Sequence, residues 1–172
     1  MDLFLLFQHG LIYGAILSVV LSVLIIISMY INAEIWASDY PPDIQENYIP
    51  VSEKTQKQKI VVSIAFLGII FGLIGLAIMH FDLMIERELS FLDAFCIIFV
   101  MLLCFNLIDL LVLDWLFFIN IQPNFIVLPG TEGLKGYDDY YFHFRGFLIG
   151  MVIISVASLL FAGILTVLSV FL

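Results

Sequence analysis

The chain has 172 residues, 63% of them hydrophobic and 12% charged, with a mean hydropathy of +1.17. A soluble domain of this size would carry roughly 25% charged residues, so the composition excludes that class and predicts an integral membrane protein. The formal net charge of −9 argues against nucleic acid or anionic lipid as partners, since both select Lys/Arg clusters.

Four apolar runs, residues 11–31, 60–79, 91–119 and 146–172, are each long enough to span about 30 Å of hydrocarbon. Backbone groups facing lipid must be satisfied within their own segment, and the ten-residue alternation of a barrel strand is absent. The expected fold is therefore an all-α, four-transmembrane-helix bundle, a single membrane domain over residues 1–172. Lys54, Lys57 and Lys59 fall in the first loop, residues 32–59, and Lys135 and Arg145 in the third, residues 120–145; only Arg87 falls in the second. Counted by loop, the basic residues place loops one and three in the cytoplasm and both termini outside, in a multi-pass protein of the cytoplasmic membrane.

The first run has no basic segment before it and no convincing small-residue cleavage site after it, so it is expected to stay in place as a span. Gly10, Gly14, Ser18 and Ser22 repeat every four residues along it, a pattern that lets helix backbones approach closely in lipid. It ends in Asn32, Glu34 and Asp39, and Pro41-Pro42 forces the chain out of helical geometry near Tyr40. The second run carries a similar small-residue row, Ala65, Gly68, Gly72 and Gly75, and the fourth carries Ser155, Ser158, Ala162 and Thr166. Packing inside the bundle is the expected use of these rows, and a homodimer or a larger membrane partner is an alternative use of one of them.

The third run is the most informative. It contains Asn106, Asp109 and Asp114 in the half nearest the third loop, and a carboxylate in hydrocarbon costs roughly 2.5–3.5 kcal/mol on insertion scales. At about 100° per residue, Asn106 and Asp109 stand about 60° apart, with Asp114 about 80° to the other side of Asn106. Cys96 and Cys104, about 12 Å apart along one helix axis, are too distant for a disulfide. The third loop contains Pro123 and a Pro129-Gly130 turn, consistent with either a cap on the bundle or a solvated turn.

Topology brings the acidic end of the third span beside Asn32, Glu34 and Asp39 of the first and His143 and Arg145 at the start of the fourth, with Trp36, Tyr40, Trp115, Tyr137, Tyr140 and Tyr141 flanking that end as an interfacial aromatic belt. Asp109 and His143 are the candidate acid/base pair. Asn32, Glu34, Asn106, Asp114 and Arg145 complete a candidate ligand pocket. Glu34, Asp109, Asp114 and His143 form a candidate set for a divalent cation. An Asp109 hydrogen-bonded to Ser28, Tyr30 or Asn32 would instead be a structural clasp. His9 and His80, near the outer ends of neighbouring spans, are a weaker candidate pair for haem.

The polar positions stop about midway along the spans, which favours a one-sided pocket for an amphiphilic or cation-associated ligand over a proton- or cation-coupled transporter. No nucleophile elbow, Walker loop, HExxH or Rossmann motif is present. An accessory or assembly subunit of a larger membrane complex is therefore the main alternative to a membrane-embedded enzyme or binder.

Overall fold

The computed structural model describes residues 3–48, 53–85 and 87–171. Every regular element among the described residues is helical. Helix α1 spans Leu3–Asn32 and tightens into a 3₁₀ segment, Ala33–Asp39, before the short α2, Pro42–Asn47. Helix α3 spans Glu53–Met84, and α5 spans Tyr140–Phe171. Helix α4 is α-helical over Phe91–Ile108 and continues, more widely wound, as a π-helix over Asp109–Ile121. Four segments are long and apolar enough to cross a membrane: Leu3–Asp39, Lys54–Met84, Phe91–Ile121 and Tyr140–Leu168.

These helices are longer than the apolar runs because backbone hydrogen bonding continues into polar sequence at a helix end. Lys54, Lys57 and Lys59 thus lie on the first turns of α3, and the expected first loop, 32–59, is largely helical. His143 and Arg145 lie on α5 for the same reason.

Helix α4 is central: α1 and α5 both pack along it, α3 is held mainly by α1, and α3 and α5 share almost no direct packing. The small-residue row of α1 makes the tightest contact. A Cβ added at Gly14 would stand 2.8 Å from Cys104 Cβ, and one at Gly10 would stand 2.9 Å from Val100 Cβ. Either would collide, so only glycine permits this approach. Around it Leu17, Leu21, Ile97, Ile98 and Met101 are fully buried. On α5, Ser158 and Ala162 are likewise completely buried. The row on α3 departs from expectation. A Cβ at Gly68, Gly72 or Gly75 would meet nothing within 4 Å, so these glycines face outward rather than into the bundle.

The Phe91 end of α4 is fastened by charge. Ser90 Oγ accepts a hydrogen bond from Asp93 N at 3.2 Å, and Asp93 Oδ2 accepts one from Ser90 N at 3.0 Å, a reciprocal cap. Arg87 grips both oxygens of the fully buried Asp93 carboxylate at 2.5 and 2.9 Å.

At the opposite end the chain between α1 and α2 interlocks with the third loop, which caps the bundle rather than forming a solvated turn. Tyr40 Oη donates to Ile126 O at 2.8 Å, Tyr137 Oη accepts from Leu128 N at 2.9 Å, and Asp43 Oδ2 accepts from Gly136 N at 2.8 Å. Tyr40, Ile44, Ile126, Leu128 and Tyr137 are all buried there. Gly136 is required at this contact, because a Cβ would overlap the Asp43 carboxylate. Burial first, then the neighbouring Tyr137 and Asp39, holds the Tyr40 phenol above its ordinary pKa of 10.0, so it remains a donor.

Two outcomes are expected. Gly14→Ile should lower stability by roughly 1–3 kcal/mol through overpacking against α4, whereas Gly72→Ile should leave it unchanged, as read by thermal unfolding in detergent. The unfolded chain ionises Tyr40 near pH 10 while the folded chain resists, so stability should fall as pH rises above that value. Tyr40→Phe should show a shallower alkaline decline in the same assay.

Candidate functional site

The wider winding of α4 begins at Asp109 itself. Its terminal bond, Gln122 N to Phe117 O at 3.0 Å, spans five residues rather than four. In this geometry residues five apart lie roughly one turn apart and share a side of the helix. Asp109 and Asp114 are therefore brought to one side, where regular α-helical spacing would have swung them widely apart. Leu113 and Phe118, also five apart, are both buried.

Both carboxylates line a cavity of about 430 Å³ at the end of the bundle that carries the first and third loops. Helix α1 contributes Ile25 and Met29, the 3₁₀ segment Trp36, Ser38 and Asp39, and α3 Phe66. Helix α4 adds Phe105, Asn106, Leu110 and Phe118, and α5 adds Phe142, His143, Gly146 and Phe147. The rim reaches the surface at Ser38 and Asp39 and again at Gly146 on the flank of α5, where a Cβ would meet nothing within 4 Å.

Within this space Asp114 Oδ1 lies 3.0 Å from His143 Nδ1. The imidazole is 7% exposed, and its Nε2 is buried without a hydrogen-bond partner. Asn106 Nδ2 donates to Phe147 O at 3.1 Å, and its side chain lies so near Gly150 that any Cβ there would collide with it. Asn106 thus clamps α5 to α4 as well as lining the cavity. The Asp109 carboxylate makes no hydrogen bond with any described residue. The structural clasp is ruled out: Ser28 Oγ donates to Ile25 O and accepts from Trp36 Nε1, Asn32 is bound to Thr55 and Gln58, and Tyr30 is 72% exposed.

Of the residues expected from sequence, Asn106, Asp109, Asp114 and His143 converge on the cavity, while Asn32, Glu34 and Arg145 do not line it. Asn32 Oδ1 caps the 3₁₀ segment by accepting from Glu34 N, and Glu34 Oε2 accepts from Thr55 Oγ1 at 3.0 Å, tying α1 to α3. Arg145 is exposed on the α5 surface. The four-residue metal set is corrected accordingly, since Glu34 is turned away. Among the described residues no group of three or more His, Cys, Asp or Glu side chains is placed to hold a metal ion.

Sequence reasoning placed Asp39 in the polar cluster at this end without assigning it to the pocket, and it read Trp36 and Tyr40 only as interfacial aromatics, whereas all three line the cavity. A signal was present in the Pro41-Pro42 corner, which turns the segment before it back toward the bundle. At the other end, His9 Nε2 lies 2.9 Å from Ala77 O, and its ring stands 5.3 Å from that of His80. The two rings touch where a haem would have to stand, so this pair does not form a haem site. A second cavity of about 620 Å³ lies at that end between α3 and α5, with Asp82, Glu88 and Ser90 in its lining. This end is thus less uniformly apolar than the sequence pattern implied.

Among known proteins, no family model matches the chain, and neither a curated protein nor a solved structure matches it significantly.

Asp109→Asn should raise thermal stability in a bilayer mimetic, by at most the ~2.5–3.5 kcal/mol assigned to a mid-span carboxylate. Asn106→Leu should lower it by roughly 0.5–1.5 kcal/mol by removing the hydrogen bond that joins α4 to Phe147 O of α5. Unfolding monitored by circular dichroism would measure both.

Proposed function

We propose that the chain is a small polytopic membrane protein that binds an amphiphile in the α4 cavity, with the ligand's polar head at Asp109, Asp114 and His143. The single observation that carries this reading is Asp109: a carboxylate within a membrane-length apolar helix that has no hydrogen-bond partner among the described residues and lines a cavity. A carboxyl group left without a partner this way costs free energy in the empty protein, and a bound head group that pairs with it offsets that cost. The rim at Gly146 lies on the flank left open between α3 and α5, which suits a tail that remains among lipid chains.

Asp114 fixes the orientation of His143, so both groups are held in place at the cavity wall beside the proposed head-group position. By the distribution of basic residues the cavity faces the cytoplasm, with both termini outside the cytoplasmic membrane.

An accessory subunit is the second reading, favoured by the outward-facing glycines of α3, which offer a close-packing surface to another helix. Transport has less support, because the inner and outer cavities share no lining residue and Phe66 packs on Phe105, 5.8 Å between centroids, beside the inner one.

The test is to extract amphiphiles from the purified chain and from Gly146→Trp and Asp109→Leu variants and compare them by mass spectrometry. One species should be enriched in the native protein by roughly tenfold or more over both variants. If the three extracts are identical, the cavity is not a binding site.

A further inference from the structure

We propose that the head group taken by the cavity is a protonated amine retaining at least one N–H bond. This deepens the ligand-binding reading and rests on it. The argument is an inventory of hydrogen-bonding groups. Trp36 Nε1 donates to Ser28 Oγ at 2.9 Å, Tyr40 Oη to Ile126 O at 2.8 Å, and Asn106 Nδ2 to Phe147 O at 3.1 Å. The fourth donor, His143 Nδ1, faces Asp114 Oδ1 at 3.0 Å. These side-chain donors are all engaged within the protein.

The acceptors are not. Both oxygens of Asp109 and the second oxygen of Asp114 have no protein donor among the described residues. Nε2 of His143 is buried away from the open space and adds neither a donor nor an acceptor to it. Ser38 retains a hydroxyl hydrogen, but it sits on the exposed rim, where its oxygen already accepts from Lys59 Nζ at 2.6 Å. With Asp109 ionised, as a cationic partner would hold it, the interior is rich in acceptors and has no donor to spare, so a ligand that completes it brings donors of its own.

Charge selects among such ligands. No described residue lining the cavity is Lys or Arg, and Lys59 at the rim acts on Asp39 rather than on the interior. Phosphate and carboxylate heads would meet only like charge and unmatched acceptors. A bare metal ion finds no three convergent ligands. An organic cation is suited by the rings that also line the space, Trp36, Phe66, Phe105, Phe118, Phe142 and Phe147, because aromatic faces attract ammonium groups. A quaternary ammonium would satisfy the charge and leave the acceptors empty, whereas a protonated amine satisfies both.

The test compares single-chain probes with one common tail, dodecylamine, dodecyltrimethylammonium, dodecanol and dodecyl phosphate, binding to the full chain in neutral lipid nanodiscs at pH 7. The shared tail cancels nonspecific partitioning. Dodecylamine is expected to bind tightest, by roughly tenfold over the trimethylammonium and alcohol probes, and Asp109→Asn is expected to remove that difference. The head-group ranking on the native chain needs no variant, and Gly146→Trp, which leaves the carboxylates in place, should weaken all four probes. If dodecyltrimethylammonium or dodecanol matches dodecylamine while binding still depends on Asp109 and Gly146, the N–H requirement is overturned and the cavity reading stands. Preference for dodecyl phosphate also overturns the amine assignment. If no probe responds to either substitution, the ligand-binding reading itself fails.

Discussion

The close approach of α1 to α4 at Gly10 and Gly14 is the contact on which the rest of the architecture depends. Between helices in lipid there is no hydrophobic gain to drive association, so stability comes from backbones brought near enough for dense dispersion contact. With Val100 and Cys104 seated directly on those glycines, α4 is fixed as the central helix. Asn106 then docks α5 on another side through Phe147 O and the bare backbone of Gly150. Helix α3 is held mainly by α1 and does not reach along α5, and the cavity lies where those two helices fail to meet.

The second constraint is the winding of α4. A regular α-helix would have set Asp109 and Asp114 about 140° apart around its axis. Widening the ladder from Asp109 to Ile121 collects both carboxylates on the cavity side and keeps Leu113 and Phe118 in the core. Nothing in the local sequence dictates this winding. π-Helical turns are rare and concentrate at functional sites, which accords with the placement of this one at the polar half of the span.

Much of the fold was legible because apolar length is a strong signal: the four helices of membrane-spanning length and their order follow from it, and that order brings Asn106, Asp109, Asp114 and His143 to one end. Three features were not legible. The rotation between Asp109 and Asp114 was invisible because the usual 3.6-residue repeat was assumed for a segment that departs from it. Glu34 and Asn32 were assigned to the pocket by proximity along the axis, yet their side chains turn toward Thr55 on α3, a matter of azimuth that spacing alone does not fix. The glycine rows of α1 and α3 look alike in sequence, and only the packing shows that one is enclosed and the other open.

The interlocked cap has a consequence for how the molecule is made. Its bonds join Tyr40 to Ile126 and Asp43 to Gly136, pairs separated by 86 and 93 residues, whereas the Ser90–Asp93–Arg87 fastening at the other end is local. Local contacts close early and long loops late, because the chain between the partners must first be ordered. The third loop must leave the translating ribosome before it can dock on the first, and His143 emerges later still. The acidic end of α4 is therefore synthesised well before the residues that enclose it, and the cavity is completed only when the last helix arrives.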